Sequence, residues 1–495
     1  MPQKTVEEVF ETLFQSSGNT WITKNMLENF FYKHTKSRSL QSLNPYIRSD
    51  RVFVAQKDNE LVFSIRKYAL AEANIANNII RIRDAAHATY SDEYLDSLID
   101  EVEKKKNKKL HIGQRQAVKD AVNNLLIVLT GGPGTGKTTV LEFINDVLLL
   151  IDKDLQILYT APTGKAARRI TESTGFGAST LHKRLGITEE KMEPTPISKA
   201  FQMLTIDEVS MMDTLVAEAT FKAVNTGMRL LLVGDIDQLP SVGPGSVLRD
   251  LIASGKIAVA RLTKTFRQAG DSILFDNILR IQRGDYHLIS GDDFKLAVPS
   301  SKISDRELLL YLYKKEIEVY GVHNVMCLTP YRKSGNTCSN IMNTEIQKMV
   351  NHNSEHIEDA FHRRFIKNDV VMQLENRDMC ANGDVGFISK VYKNGIRVKY
   401  TDSECDYSIN QLNQLDLAYA MSIHKSQGSQ AKSVVTCLLP EHKAMMQRNL
   451  PYTAITRAEK KCTLLCEPEI VKYAIENEAS SKRLTMLQEQ ISKKG

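Results

Sequence analysis

Cysteine is missing from the chain before Cys327, and the seven that follow, ending at Cys466, never stand in C-x-x-C spacing. That excludes the common zinc frames, and the odd, irregular set fits reduced, buried thiols better than a disulfide scaffold. No apolar run reaches the roughly 18 residues that span a membrane. The first residues, Met1 to Glu8, lack the basic-then-apolar pattern of a secretory leader, so a cytoplasmic protein without a membrane partner is expected. Internal repeats and low-complexity tracts are absent. A large excess of one charge is also lacking: 65 Lys and Arg face 59 Asp and Glu, a net of +6. This mildly basic balance permits a nucleic-acid partner without requiring one.

What is present is length and alternation. A chain of 495 residues is too long for one core, and about three or four domains are expected. Val6 to Phe14 and Leu70 to Arg83 have helical apolar spacing, and Arg51–Ala55 with Leu61–Ile65 read as a hairpin. Residues 1–105 thus read as an N-terminal α+β accessory domain, a packing module in preference to a DNA-binding wing. The charge run Glu101 to Lys109 reads as a solvated linker or helix end. From Leu110 to Leu262, buried strands at Leu125–Leu129, Gln156–Thr160, Met203–Ile206 and Arg229–Val233 alternate with helices. Alternation of this kind predicts a parallel sheet covered on both faces, here over 106–262. A second α/β unit is expected over 263–335 and 415–495. Between its halves, 336–414 carries short β-like runs separated by Asn, Gly and Asp turns, which predicts an inserted small β-barrel.

The most specific string is Gly131-Gly132-Pro133-Gly134-Thr135-Gly136-Lys137-Thr138-Thr139. It fits G-x-x-x-x-G-K-[ST] and lies between an apolar strand and a helical pattern, the context that makes it a phosphate loop. Backbone N–H groups at Gly132, Gly134, Thr135 and Gly136, and the helix start at Lys137 to Thr139, cradle an anion. Lys137 supplies a point charge for the outer phosphates and Thr138 a hydroxyl for magnesium. The expected cofactors are therefore ATP and Mg2+.

Two further strand ends add chemistry. Ile206-Asp207-Glu208 places Asp207 as a second magnesium ligand and Glu208 as the base that polarises water. Val233-Gly234-Asp235-Ile236-Asp237-Gln238 places Gln238 where it can sense the γ-phosphate.

The motifs in this order resemble the superfamily 1 DNA helicases, most closely the RecD-like type that moves 5′ to 3′. The resemblance covers about Leu110 to Leu465. It rests on Gly113-Gln114-Arg115-Gln116, Ala161-Pro162-Thr163-Gly164-Lys165, Ser179-Thr180-Leu181-His182, Leu262-Thr263-Lys264-Thr265-Phe266-Arg267-Gln268, Leu328-Thr329-Pro330-Tyr331-Arg332, Ser422-Ile423-His424-Lys425-Ser426-Gln427-Gly428-Ser429 and Tyr452-Thr453-Ala454-Ile455-Thr456-Arg457.

The resemblance implies two RecA-like motor domains, an SH3-like inserted barrel and a catalytic set of Lys137, Asp207, Glu208, Gln238, Arg267 and Arg457. Gln114 is implied to read adenine, and Arg267 and Arg457 to act as arginine fingers. Thr163, Lys165, His182, Tyr331, Arg332, His424, Ser426 and Gln427 are implied to contact DNA; His182 alone reads equally as a structural histidine. Residues 186–200 are read equally as a duplex-splitting pin hairpin and as a plain surface loop.

One departure is Gln430, where the family has a glutamate that touches the ribose. The implied partners are single-stranded and forked DNA, with replication or recombination proteins as further partners, and a monomer suffices because one chain holds both halves of the ATP cleft. An RNA-directed helicase and an assembly-regulating ATPase subunit are the alternatives.

Overall fold

The computed structural model describes residues 6–35, 39–188, 190–266, 272–377, 379–401 and 403–494. Its frame is a pair of parallel sheets. The first has the order Ala178–Thr180, Ile157–Ala161, Met203–Ile206, Arg229–Gly234, Leu126–Gly131, Ala258–Leu262. Its central strands are largely apolar because both faces are covered. Alternation at Leu126–Gly131 sends Leu126 and Val128 into one core with Ile75, Ile79 and Phe221. Ile127 and Leu129 enter the other with Val140, Ile144 and Leu95.

The second sheet runs Phe294–Ala297, Ala458–Cys466, Ala431–Leu438, Val325–Thr329, Ala420–Ser422, again parallel. Two parallel-sheet α/β domains are therefore the architecture. All seven cysteines are free and buried. No described helix is long and apolar enough to cross a membrane.

Between Val350 and Ala420 the chain leaves the second sheet. It forms a hairpin, His356–Glu358 with Arg364–Ile366, and a five-stranded antiparallel sheet ordered Glu404–Ser408, Gly395–Lys399, Val385–Tyr392, Val370–Gln373, Leu415–Leu417. Its core holds Val371, Ile388, Ile396, Val398 and Tyr407. The expected bounds of 336–414 shift. Helix Ser339–Val350 sends Met342 and Ile346 into the core of the second parallel sheet. Leu415–Leu417 pairs with Val370–Gln373 and so belongs to the inserted sheet.

The boundary expected at 105 also moves. Helices Val6–Ser17 and Lys24–Thr35 and the hairpin Val52–Lys57/Glu60–Ile65 form their own core around Phe10, Phe14 and Tyr68. Helix Arg66–Arg83 then passes into the cores of the first parallel sheet, as does Asp92–Lys106 through Leu95, Ile99 and Val102. The apolar faces of both helices are buried against the sheet faces they cover.

The C-terminal residues likewise leave the unit assigned to them. Helix Leu487–Lys494 packs on Arg66–Arg83 and Val247–Ala253. Arg483 donates to the carbonyls of Ser241 at 2.8 Å, Gly243 at 3.1 Å and Gly245 at 2.8 Å. Glu72, fully buried, accepts from Thr20, from the Trp21 indole at 2.8 Å and from the Met486 amide at 3.1 Å. Over 186–200 the described residues contain no strand. They form a loop held by the Thr195 amide on the Leu185 carbonyl at 2.7 Å.

Candidate functional site

Strand Leu126–Gly131 delivers the chain to the phosphate loop at the carboxyl edge of the first sheet, and helix Lys137–Ile151 begins directly beyond it. Gly134 and Gly136 hold φ of 74° and 83°, a left-handed backbone that favours glycine. A Cβ on Gly136 would also collide with the Gln114 amide. Thr135 Oγ1 donates to the Gly132 carbonyl at 2.9 Å, and Lys137 Nζ to the carbonyls of Gly131 and Gly132 at 2.6 and 3.1 Å. Gln114 braces the loop: its Nε2 donates to the Thr135 carbonyl at 3.1 Å and its Oε1 accepts from the His111 amide at 3.1 Å. Both ends of the amide implied to read adenine are thus engaged.

A cavity of about 230 Å³ opens over the loop. Its floor is Gly132, Gly134, Gly136, Lys137, Thr138 and Thr139. Its walls bring Asp207, Glu208 and Gln238 from the first sheet together with Gln430 and Arg457 from the second. Glu208 is held at φ 54°, a strained non-glycine conformation, and its amide donates to Asp207 Oδ1 at 2.8 Å. Burial, reinforced by the Glu208 charge, pushes the Asp207 carboxyl up to about 6. Gln238 Nε2 donates to Asp235 Oδ2 at 3.3 Å, while its buried Oε1 has no partner among the described residues.

Arg457 is 3% exposed. It donates to the carbonyls of Thr453 and Ser429, both at 3.2 Å, and to Thr456 Oγ1 at 3.3 Å. Lys137 and Arg457 therefore hold their charge in one cavity against neutral oxygens, an arrangement that favours an anionic ligand.

The two sheets are joined beside this cavity. Tyr452 Oη donates to Asp235 Oδ2 at 2.9 Å, Asn449 Nδ2 to the Asp237 and Gln238 carbonyls at 2.8 and 2.9 Å, and the Leu239 amide to Thr453 Oγ1 at 2.9 Å. The loop after strand Arg229–Gly234 is thereby read by helix Asn449–Thr456 of the other unit.

A family described as AAA domain matches residues 109–293, and one described as UvrD-like helicase C-terminal domain matches 417–465. The ATP-dependent RecD2 DNA helicase of Deinococcus radiodurans is 32% identical over 367 residues, covering 73% of this chain and 49% of that protein. The RecBCD enzyme subunit RecD of Mycolicibacterium smegmatis is 29% identical over 410 residues, covering 74% and 73%. In these matches the chain is similar to the RecD-like superfamily 1 helicases. It spans about half the length of the Deinococcus relative. A solved structure of Pif1 helicases unwinding forked double-stranded DNA is 18% identical, with a TM-score of 0.49 over 73% of this chain and 94% of that one.

The residues implied to bind DNA in this RecD-like chain do not gather in one cavity. Thr163 caps helix Gly164–Thr174, accepting from the Ala166 amide at 3.2 Å. Lys165 lines a cleft of about 620 Å³ shared with the inserted sheet. His182 and Tyr331 are half-buried. Exposed Arg332 pairs with Asp416 at 2.9 Å. His424 is half-buried, and burial together with Arg483 lowers its pKa.

Two of the implied contacts are corrected. Ser426 is fully buried and its hydroxyl donates to the Ile423 carbonyl at 2.7 Å. Gln427 is buried and donates to the Leu239 carbonyl at 2.9 Å, across the junction of the two units. Both are spent on internal bonds because their segment turns inward at the 3-10 helix His424–Ser426. Arg267 lies outside the described residues.

Two residues of the RecD-like site escape sequence reading. Phe266 is 48% exposed and lies beside Gly136 and His111 at the phosphate loop, offering an aromatic face. Arg169 lines the cavity and donates to Gln430 Oε1 at 2.9 Å, so Gln430, implied to face a ribose, faces a guanidinium. A helical-wheel reading was the available signal, since Arg169 stands one turn after Lys165.

Proposed function

We propose that the chain is an ATP-dependent DNA helicase that moves 5′ to 3′ on single-stranded DNA and opens forked duplexes. The observation that carries this reading is the single cavity in which Lys137, Asp207, Glu208 and Gln238 of one sheet meet Arg457 of the other. A nucleotide in that cleft touches both motor domains, so its hydrolysis becomes a motion between them.

Lys137 and the loop amides hold the phosphates, and Phe266 offers the base a stacking face. The Thr138 hydroxyl and the Asp207 carboxylate are hard oxygen donors in one cavity and suit magnesium, which would supply charge neutralisation at the phosphates. Asp207 fits the role, because a cation favours the ionised form that burial opposes. Glu208 is placed to accept a proton from the attacking water, and Arg457 to stabilise the charge that develops on the transferred phosphoryl group. Arg267 is assigned the other arginine finger, beside Arg457, by its motif alone.

The inserted sheet is read as an SH3-like barrel that walls the Lys165 side of a DNA track. Supporting this, Gly164 abuts Ala381 and Arg168 pairs with Asp384 at 2.6 Å. Thr163, Lys165, His182, Tyr331, Arg332 and His424 are the proposed DNA-facing side chains, with replication or recombination proteins as partners of a monomer.

Forked duplexes with only a 5′ or only a 3′ tail test the reading. ATP-driven opening of the 5′-tailed fork alone is expected, and failure to open it would overturn the assignment. Stimulation of hydrolysis by single-stranded RNA in place of DNA would redirect it to an RNA substrate. Lys137→Ala is expected to lose hydrolysis while retaining DNA binding.

A further inference from the structure

Arg169 stands on helix Gly164–Thr174 of the first motor unit, and Gln430 stands in the second, immediately before strand Ala431–Leu438. Their 2.9 Å bond therefore crosses the cleft between units. Both residues line the 230 Å³ cavity and also the adjoining 620 Å³ cleft, so the pair forms part of the wall between the two spaces.

The surroundings pull on the guanidinium from several directions. It lies close enough to Asp207 to favour the ionised carboxylate, and close enough to Arg457 and Lys165 to oppose their charge. A cation crowded by like charges is best satisfied by an anion carrying several oxygens. Its acceptor is instead a neutral amide. A guanidinium–amide bond is weaker than a guanidinium–phosphate one, so exchanging the first for the second is favourable. A carboxylate at 430 would compete with phosphate for the same group.

We propose that Arg169 is a nucleotide-binding residue that alternates between Gln430 and the phosphate oxygens of a bound nucleoside triphosphate, with Gln430 serving as an uncharged holding partner. This rests on the nucleotide-hydrolysing reading above. It adds a cation from the first motor unit to Lys137 and Arg457, and it makes release of one cross-cleft bond part of nucleotide capture.

The test uses the full chain with saturating single-stranded DNA, and reads ATP hydrolysis together with equilibrium binding of fluorescent ATP and ADP analogues. Arg169→Ala is expected to raise the KM for ATP about tenfold while kcat stays within about threefold, and to weaken ATP binding more than ADP binding. Arg169→Lys should recover part of the loss. Gln430→Glu should also raise KM, by an amount that shrinks in about 0.5 M salt, because an ion pair now competes for the guanidinium. The double variant should match Arg169→Ala alone.

A KM within twofold of wild type in Arg169→Ala overturns the proposal. So does a Gln430→Glu effect that persists without Arg169, or equal loss of ATP and ADP binding with a lowered Tm, the mark of a structural role. Lys137→Ala runs beside these variants. If it still hydrolyses ATP, the nucleotide reading itself fails; if it does not and Arg169→Ala resembles wild type, only the role of Arg169 fails.

Discussion

Gln427 holds Leu239 from across the junction of the two parallel-sheet units: its amide donates to the Leu239 carbonyl at 2.9 Å, over a separation of 188 positions in sequence. The Leu239 amide in turn donates to Thr453 Oγ1 at 2.9 Å. One residue in the loop that follows Gln238 is thus gripped on both backbone groups by the second unit. Gln238, which lines the nucleotide cavity, is the chain neighbour of Leu239, and Gln427 directly follows the His424–Ser426 segment, so one bond and one peptide link separate that segment's end from the cavity wall.

Gln427→Ala leaves the buried Leu239 carbonyl without this donor, a loss worth about 1–3 kcal/mol. Stimulation of ATP hydrolysis by single-stranded DNA should fall about tenfold, while the basal rate changes less. Hydrolysis measured with and without DNA checks this; undiminished stimulation would mean the bond carries no coupling.

Arg457 is buried and bonded to neutral oxygens, poised to meet charge that appears only during phosphoryl transfer. Arg457→Ala should lower kcat by roughly 10³-fold. Binding of ATP should weaken by much less, since the phosphate loop lies wholly in the other unit. Single-turnover hydrolysis measured alongside nucleotide affinity separates the two, and a kcat within tenfold of wild type would remove Arg457 from the transition state.

The Asp207–Glu208 pair predicts an acid limit. Asp207 must be ionised to hold a cation, and its carboxyl is raised to about 6 by burial and by Glu208. Activity should therefore fall as pH drops through about 6 at low magnesium. Rising magnesium should move that limit to lower pH, because the cation binds the ionised form. An acid limb that ignores magnesium concentration would point to another group, and the limb is to be read as a property of the pair.

Glu72 ties the N-terminal module to the C-terminal segment, and burial raises its carboxyl from 4.5 to about 7. The folded state holds the proton more tightly than the unfolded one. Its stabilising share is therefore complete below about 4.5 and is lost as pH rises through 7. Glu72→Gln can still accept from Trp21 and Met486 without a charge to desolvate. It should be more stable than wild type at pH 8, by roughly 3 kcal/mol at most, and lack that part of the pH slope. Thermal denaturation from pH 5 to 8 measures the difference; parallel curves for the two proteins would refute it.

Much of the fold was legible because parallel strands covered on both faces are written as short apolar runs. Met203–Ile206 has the expected bounds, and Arg229–Gly234 differs from its expected range by one residue. The phosphate loop was legible because glycine at 134 and 136 is a backbone requirement that sequence displays directly. Elements whose allegiance depends on distant partners were harder to read. Helix Arg66–Arg83 reads as part of the N-terminal module until Ile75 and Ile79 are seen in a core of the first parallel sheet. Helix Leu487–Lys494 reads as the end of the second unit until it is found on Arg66–Arg83.

The same division runs through the site. The sequence by itself determined which chemical groups the chain owns: a phosphate loop ending in Lys137 and Thr138, an acidic pair at Asp207 and Glu208, and a basic end to the Tyr452–Arg457 run. These are local, because a loop, a strand end and a helix end each need only near neighbours. Tertiary structure alone decided which groups face one another. It turned Ser426 and Gln427 inward, set Arg169 against Gln430 and delivered Arg457 to the cavity of the opposite sheet. The reason is physical. A side chain's partner across a cleft is fixed by the packing of two separate cores, and no spacing along the chain encodes that distance.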